Sequence, residues 1–288
     1  MKFEFKVMSF CIFLVFLFAG CSKIMQPVSN VSKGSEYSQS ASSSKTSDKQ
    51  KNDKDNNKKA AENNQEDKKQ NVDSEKTKEV KRKVVVLDPG HGRGSNLEKE
   101  AIYPGAKELK IKDGGGAEGI NSKTPEYVIT MDIAMKLKGL LENKGYNVIM
   151  TKTTLQESPG NIERAEVGNR NNADLVVRIH ADASESSNIS GASMLVPAPI
   201  GYAEDISGIS RKYGQVVLEG LVNEVGMENR GIVERNDLTG FNWSKVPTIL
   251  VETGFLSNPQ EDKLLNTEEY QNKIAKGLFH GIDNAINN

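Results

Sequence analysis

Two histidines and two glutamates carry the chemistry that can be read from this chain. The protein has only three histidines in 288 residues. A run of β-branched residues at 84–87 passes through Asp-Pro-Gly into His91. The apolar run 175–179 leads straight into His180, and 248–251 leads straight into Glu252. A fourth group, Glu126, opens a helical pattern. Two imidazoles and a carboxylate are the ligand set of an open catalytic zinc site, whose fourth position is left for water. Gly90 and Gly92 would let the backbone fold closely around His91 without Cβ clashes. The short zinc-protease pattern H-E-x-x-H is absent, so the ligands must come from distant segments. On residue types alone, a strand-end histidine is more often a hydrogen-bonded structural residue than a metal ligand. His280, on an apolar helical pattern near the end of the chain, is the weakest candidate of the three.

The elements that must position these groups follow from periodicity. Residues 83–88, 146–151, 173–180, 191–197 and 248–254 read as strands. Ile129, Ile133, Leu137, Leu140 and Leu141 recur at helical spacing. They predict a helix from Pro125 to 144, with Thr124 as N-cap and Gly145 as C-cap. Further helices are expected at 161–172, 203–226 and 267–286. Strands alternating with helices predict one α/β domain over 83–288, with a mostly parallel or mixed sheet covered on both faces. In such sheets ligands bind at the carboxyl ends of the strands. Three strands ending in His91, His180 and Glu252 would then share one edge.

Four blocks carry a family resemblance: "VVVLDPGHG", "TPEYVITMDIAMKLKGLLENKGYNVIMT", "ADLVVRIHADA" and "VPTILVETGFLSNPQED". They resemble, in order, the signature blocks of the zinc-dependent N-acetylmuramoyl-L-alanine amidases. The resemblance implies a six-stranded α/β fold, Zn2+ held by His91, Glu126 and His180, and Glu252 as the catalytic acid/base. It also implies hydrolysis of the amide between N-acetylmuramic acid and L-alanine in peptidoglycan. Asp237 and Leu238 match the family's usual pair on a substrate-side loop. Departures are Arg178, where relatives carry a small residue, and Asp182, a candidate substrate contact that is equally readable as a loop charge. Alternation puts Arg178 on the side of Val176, where it needs a partner or solvent. Arg164 also matches a common family position and is read as a structural salt bridge on its helix. Trp243 is read either as a sugar-stacking ring or as ordinary packing.

The stretch between His91 and Glu126 contains "GGGAEG" at 114–119, formally a G-x-G-x-x-G match. No apolar strand precedes it and no dinucleotide βαβ unit surrounds it, which argues against a nucleotide site. It is read as a mobile loop beside the site.

The ends set the compartment. Lys2 and Lys6, an apolar run from Val7 to Ala19, and "LFAGC" at 17–21 read as a secretory signal. It resembles a bacterial lipobox with Phe18 in place of the usual leucine, which implies lipid on Cys21. The alternative is an uncleaved anchor helix, though the run is shorter than the roughly 20 residues of a membrane span. Either way the remainder lies outside the cytoplasm, tethered to a membrane. Residues 22–82 are polar, charged in both signs and nearly free of apolar side chains, hence a disordered spacer. At about 5–6 Å × √n such a spacer averages roughly 45 Å in reach. Its charges are mixed in sign, which argues against a nucleic-acid arm. Cys11 and Cys21 are the only cysteines, so no disulfide can staple 83–288. The expected organisation is a signal (1–21), a linker (22–82) and a monomeric catalytic domain (83–288). Two other readings stay open: a wall-binding lipoprotein without catalysis, and a zinc peptidase cutting elsewhere in the stem peptide.

Overall fold

A computed structural model describes residues 82–288. The signal segment, Cys21 and the polar stretch up to residue 81 lie outside the described residues.

Six strands form a mixed sheet: β1 (Val84–Pro89), β4 (Asn147–Met150), β5 (Leu175–Asp182), β6 (Ala192–Pro197), β7 (Asn229–Arg235) and β8 (Thr248–Phe255). Their spatial order is β4-β1-β5-β8-β6-β7. β4, β1, β5 and β8 run parallel, and β6 runs antiparallel to β8 with β7 parallel to it. The carboxyl ends of β1, β5 and β8 therefore do meet at one rim. Register sharpens this: His180 pairs with Glu252, and Asp88 with Arg178.

The odd residues of β5 and β8 point into the main core. Leu175, Val177, Ile179, Ile249 and Val251 are fully buried there. Opposing them are α1 (Glu126–Lys144), α3 (Glu204–Val225) and α6 (Glu268–Asn287), through side chains such as Ile133, Leu137, Leu218 and Leu278. The even residues face α2 (Asn161–Arg170) and the short α4 (Thr239–Asn242) across two smaller clusters. Val176, Arg178 and His180 share that side, as do Leu250 and Glu252. Near the rim the even face has polar side chains in place of an apolar lining, and the site is built there.

Two expectations need correction. Thr124 is not the cap of α1. Pro125 takes that position without a side-chain cap, because Glu118 and Pro125 form an isolated antiparallel bridge that keeps the chain extended to the helix start. Gly145 does close α1, in the left-handed region at φ 103°. The stretch read as a mobile loop contains a two-stranded ribbon, β2 (Asn96–Ala101) and β3 (Leu109–Asp113). Its strands "NLEKEA" and "LKIKD" are rich in Lys and Glu, and their charged side chains serve as partners for the domain. β7 and α5 (Pro259–Leu265) also escape the periodicity reading. β7 is an edge strand with three charges in seven residues.

Candidate metal centre

After β1 the chain turns at Gly90, whose N–H donates to the Ile179 carbonyl (2.9 Å). A Cβ at Gly90 would lie 2.6 Å from Cε1 of His180, so glycine is required for this close approach. His91 follows in the left-handed region at φ 53°, a conformation that costs a residue with a Cβ about 1–2 kcal/mol. Two contacts hold it there. Asp113 Oδ1 lies 2.7 Å from His91 Nδ1, and Arg164 Nη2 donates to the His91 carbonyl at 3.3 Å. Asp113 is itself fixed by the Gly115 N–H (2.9 Å) and the Ser158 hydroxyl. A carboxylate on Nδ1 sets the tautomer and leaves the Nε2 lone pair facing inward.

Glu126 opens α1, where the helix N-terminus favours its negative charge. Its Oε2 lies 3.4 Å from His91 Nε2 and accepts from the Ala117 N–H (2.9 Å). Oε1 lies 2.9 Å from His180 Nδ1 and accepts from the Ala181 N–H (3.1 Å). The Gly116 Cα closes the cradle, since a Cβ there would meet Glu126 Oε2 and His91 Cδ2 at 2.7 Å.

Ligand atoms of His91, Glu126 and His180 all lie within 4.8 Å of one another. Bonds near 2.0–2.1 Å in a tetrahedral site place ligands roughly 3.3 Å apart, and His91 Nε2 and Glu126 Oε2 lie 3.4 Å apart. His180 Nε2 is buried without a hydrogen-bond partner. Two imidazoles, one carboxylate and an open side fit zinc.

Glu252 stands beside His180 on the next strand and lines the same cleft, about 380 Å³ in volume, with Asp182 and the three ligands. Its Oε2 is buried without a partner. Burial, then the charges of Glu126 and Asp182, push its pKa well above the usual carboxylate range. Glu126 goes the other way. Burial raises its pKa, but the His180 hydrogen bond and the nearby imidazoles outweigh that and lower it. Two carboxylates in one cleft with opposite shifts suit two different tasks.

Beneath the cleft, Asp88 is buried between two arginines. Arg164 Nη1 donates to its Oδ1 (2.6 Å) and Arg178 Nε to its Oδ2 (2.8 Å). Burial raises the Asp88 pKa, but Arg164 and Arg178 together hold it well below the ordinary value. Arg178 thus finds the partner its strand position demanded. Arg164 is not limited to an ion pair along its own helix. It also donates to the carbonyls of Pro159 and Pro89 (2.9 Å each), which ties the whole His91 turn to α2.

Of the remaining candidates, Asp182 lines the cleft. Asp237 does not. It pairs with Arg235 at 2.7 and 2.8 Å, and its carbonyl accepts from Lys110. Leu238 rests against the cluster formed by Phe241 and Leu250. The Trp243 indole N–H donates to the Ala101 carbonyl at 2.9 Å, fixing the ribbon to α4. His280 is exposed on α6 beside Phe279 and takes no part in the cluster. Asp113 was missed in sequence, though it directly precedes the glycine run whose turn it caps.

Comparison with known proteins agrees with this geometry. The family model described as N-acetylmuramoyl-L-alanine amidase matches residues 85–284. The N-acetylmuramoyl-L-alanine amidase AmiC of Neisseria meningitidis serogroup B is 29% identical over 244 residues, covering 72% of this chain and 53% of that protein. The chain thus spans about half the length of that relative. Among solved structures, the amidase Ami1 of Mycobacterium smegmatis superposes with a TM-score of 0.65 at 25% identity, covering 71% of this chain and 97% of its own. An amidase from Clostridium difficile 630 gives 0.59 at 27% identity, covering 72% and 97%. With four sequence blocks, a six-stranded sheet and a His-Glu-His cluster at its rim all in agreement, the chain belongs to the N-acetylmuramoyl-L-alanine amidase family.

Proposed function

We propose that this chain hydrolyses the amide between N-acetylmuramic acid and L-alanine in peptidoglycan, using zinc held by His91, Glu126 and His180. The observation that carries the reading is the convergence of those three ligands within 4.8 Å, with Glu252 lining the same cleft. Zinc, when bound, supplies the Lewis acidity that makes water acidic enough to attack an amide near neutral pH. Glu252 accepts the proton of the attacking water on its carboxylate and delivers it to the departing nitrogen of L-alanine. Its raised pKa suits that exchange, because it brings the carboxyl closer to neutrality. Glu126 cannot share the task, as both of its oxygens are engaged by backbone N–H groups and imidazoles. Buried Asp88, with Arg164, fixes the turn that carries His91.

Asp182 is the candidate for a direct substrate contact, from its place in the cleft. For Asp237 and Leu238 that role rests on the family resemblance alone. We further read residues 1–21 as a lipoprotein signal, Cys21 as the lipid-bearing residue, 22–82 as the spacer and 83–288 as the catalytic domain. The molecule would then be a monomer working outside the cytoplasm on the wall that surrounds its membrane. Replacing Cys21 by serine should abolish incorporation of labelled fatty acid into the full chain, and undiminished labelling would reject the anchor.

The central test is digestion of defined muropeptides with and without chelator, with products weighed by mass spectrometry. Intact muramic acid and intact stem peptide should be released, and chelation should stop their release. Glu252→Gln should lower turnover by about 10²–10⁴-fold while zinc content stays at one ion per chain. Cleavage inside the stem peptide would mark a peptidase, and wall binding without any product a non-catalytic lipoprotein.

A further inference from the structure

We infer that the outward face of the β2–β3 ribbon, continued by a pair of stacked tyrosines, is a docking surface for the glycan strand of the polymer. The inference rests on the amidase reading above.

The ribbon is built inside out. Lys110 and Lys112 point inward, where Lys110 donates to the Asp237 carbonyl and Lys112 meets Glu98. Glu100, opposite Lys110 in the ladder, is buried at the start of α2 and accepts from the N–H groups of Asn161 and Ile162. Trp243 and Asn242 donate to the carbonyls of Ala101 and Ile102. Asp113, at the end of β3, grips His91. Every inward position is thus committed, and the ribbon is a fixed wall of the site.

The apolar residues of β3 alternate to the other side. Leu109 is 52% and Ile111 46% exposed. Across the ladder, Ala101 and Lys99 share that outward face. Tyr103 follows two residues past Ala101, and its ring stacks on Tyr202 with centroids 4.3 Å apart and planes 13° apart. Tyr202 is itself 54% exposed. These side chains lie outside the buried core, and exposed apolar surface grouped beside a site marks binding.

Position indicates the ligand. Ile111 borders a second cavity, separate from the Glu252 cleft, that is also lined by His91, His180, Arg164 and Arg178, so the strip starts beside two of the metal ligands. At about 3.3 Å per residue, it reaches Leu109 roughly 13 Å from Asp113 along the strand. A ligand that follows it must be extended and joined to the bond being cut. Two chains leave that bond, one a glycan and the other a peptide. Flat phenol rings with polar edges, next to aliphatic side chains, match the C–H faces and hydroxyl rims of successive pyranose rings. A stem peptide would call for charged or backbone partners, and Lys99 is the only charged side chain that the ladder places on this face.

The test uses the full chain and glycan strands enzymatically stripped of their peptides, with binding read by co-sedimentation. Wild type should bind. Leu109→Ser combined with Tyr202→Ala should weaken binding about tenfold, whereas Tyr202→Phe, which keeps the stack, should bind within about twofold of wild type. Zinc content and melting temperature, measured on each variant, show that the fold is retained. Failure of wild type to bind stripped strands, or equal binding by the double variant, overturns the inference. Loss of affinity confined to free stem peptide overturns it too and reassigns the face to peptide. Muropeptide digestion is scored separately, so a dead amidase that still binds glycan through this face sinks only the catalytic reading.

Discussion

At the scale of single residues, the site depends on a histidine held in a conformation it would not choose. His91 sits at φ 53°, and Arg164 engages both its carbonyl and that of Pro89. Arg164 is therefore a positioning residue for the metal. Replacing it with methionine should weaken zinc affinity by about 10–100-fold, the usual effect of losing a group that orients a metal-binding histidine. Competition with a fluorescent chelator would measure this in protein shown to be folded. Unchanged affinity would mean that Arg164 only stabilises the fold. Arg164→Lys should recover little, because a single ammonium cannot reproduce the forked contacts to Asp88 and the two carbonyls.

Among the elements, the ribbon and α2 depend on each other. α2 begins at Gly160, which has no side chain with which to cap the helix. Glu100 from β2 supplies the acceptor instead, taking the N–H groups of Asn161 (2.8 Å) and Ile162 (3.1 Å). Glu100→Ala should cost about 1–2 kcal/mol, as expected for a lost N-terminal cap, and lower the melting temperature by roughly 2–8 °C. Calorimetry reads it directly, and an unchanged melting temperature would show that α2 finds its cap elsewhere. Five strands of the main sheet and the long helices were legible in sequence because their apolar residues face the core at regular periods, whereas the charged edge strand β7 was not. The ribbon was not, because Glu100, Lys110 and Lys112 turn inward while Leu109 and Ile111 turn out. No periodicity rule based on core burial could find it.

For the whole molecule, the buried charges set the response to pH. Asp88 has a depressed pKa in the folded protein, so its stabilising effect is present above the ordinary value of 3.8 and is lost as pH falls below it. Lys152 acts at the other end of the scale. It is 2% exposed, and its ammonium lacks a hydrogen-bond partner. Burial, then the nearby Arg164 charge, lowers its pKa to about 8. The unfolded chain binds this proton more tightly, so stability should increase as pH rises from about 8 towards 10.5. Lys152→Met should raise the melting temperature at pH 7 by about 2–4 °C, which corresponds to roughly 1 kcal/mol. It should also flatten the alkaline slope. A lower melting temperature would show that the ammonium balances Asp88 and Asp113 and is not a cost.

The sequence by itself determined the α/β class, the strand ends that present His91, His180 and Glu252, and the glutamate that opens α1. Those features follow from local periodicity and from residue chemistry next to it. Only the tertiary structure decided that Asp113 and Arg164 steady His91, that Asp88 balances two buried arginines, and that the ribbon packs beside His91. The contacts of Asp113, Arg164 and Arg178 with His91 and Asp88 join segments from 22 to 90 residues apart, and those of the ribbon with α4 up to 142. Their pairing is chosen by strand order and register, which depend on how the whole sheet assembles, and no local pattern records that choice.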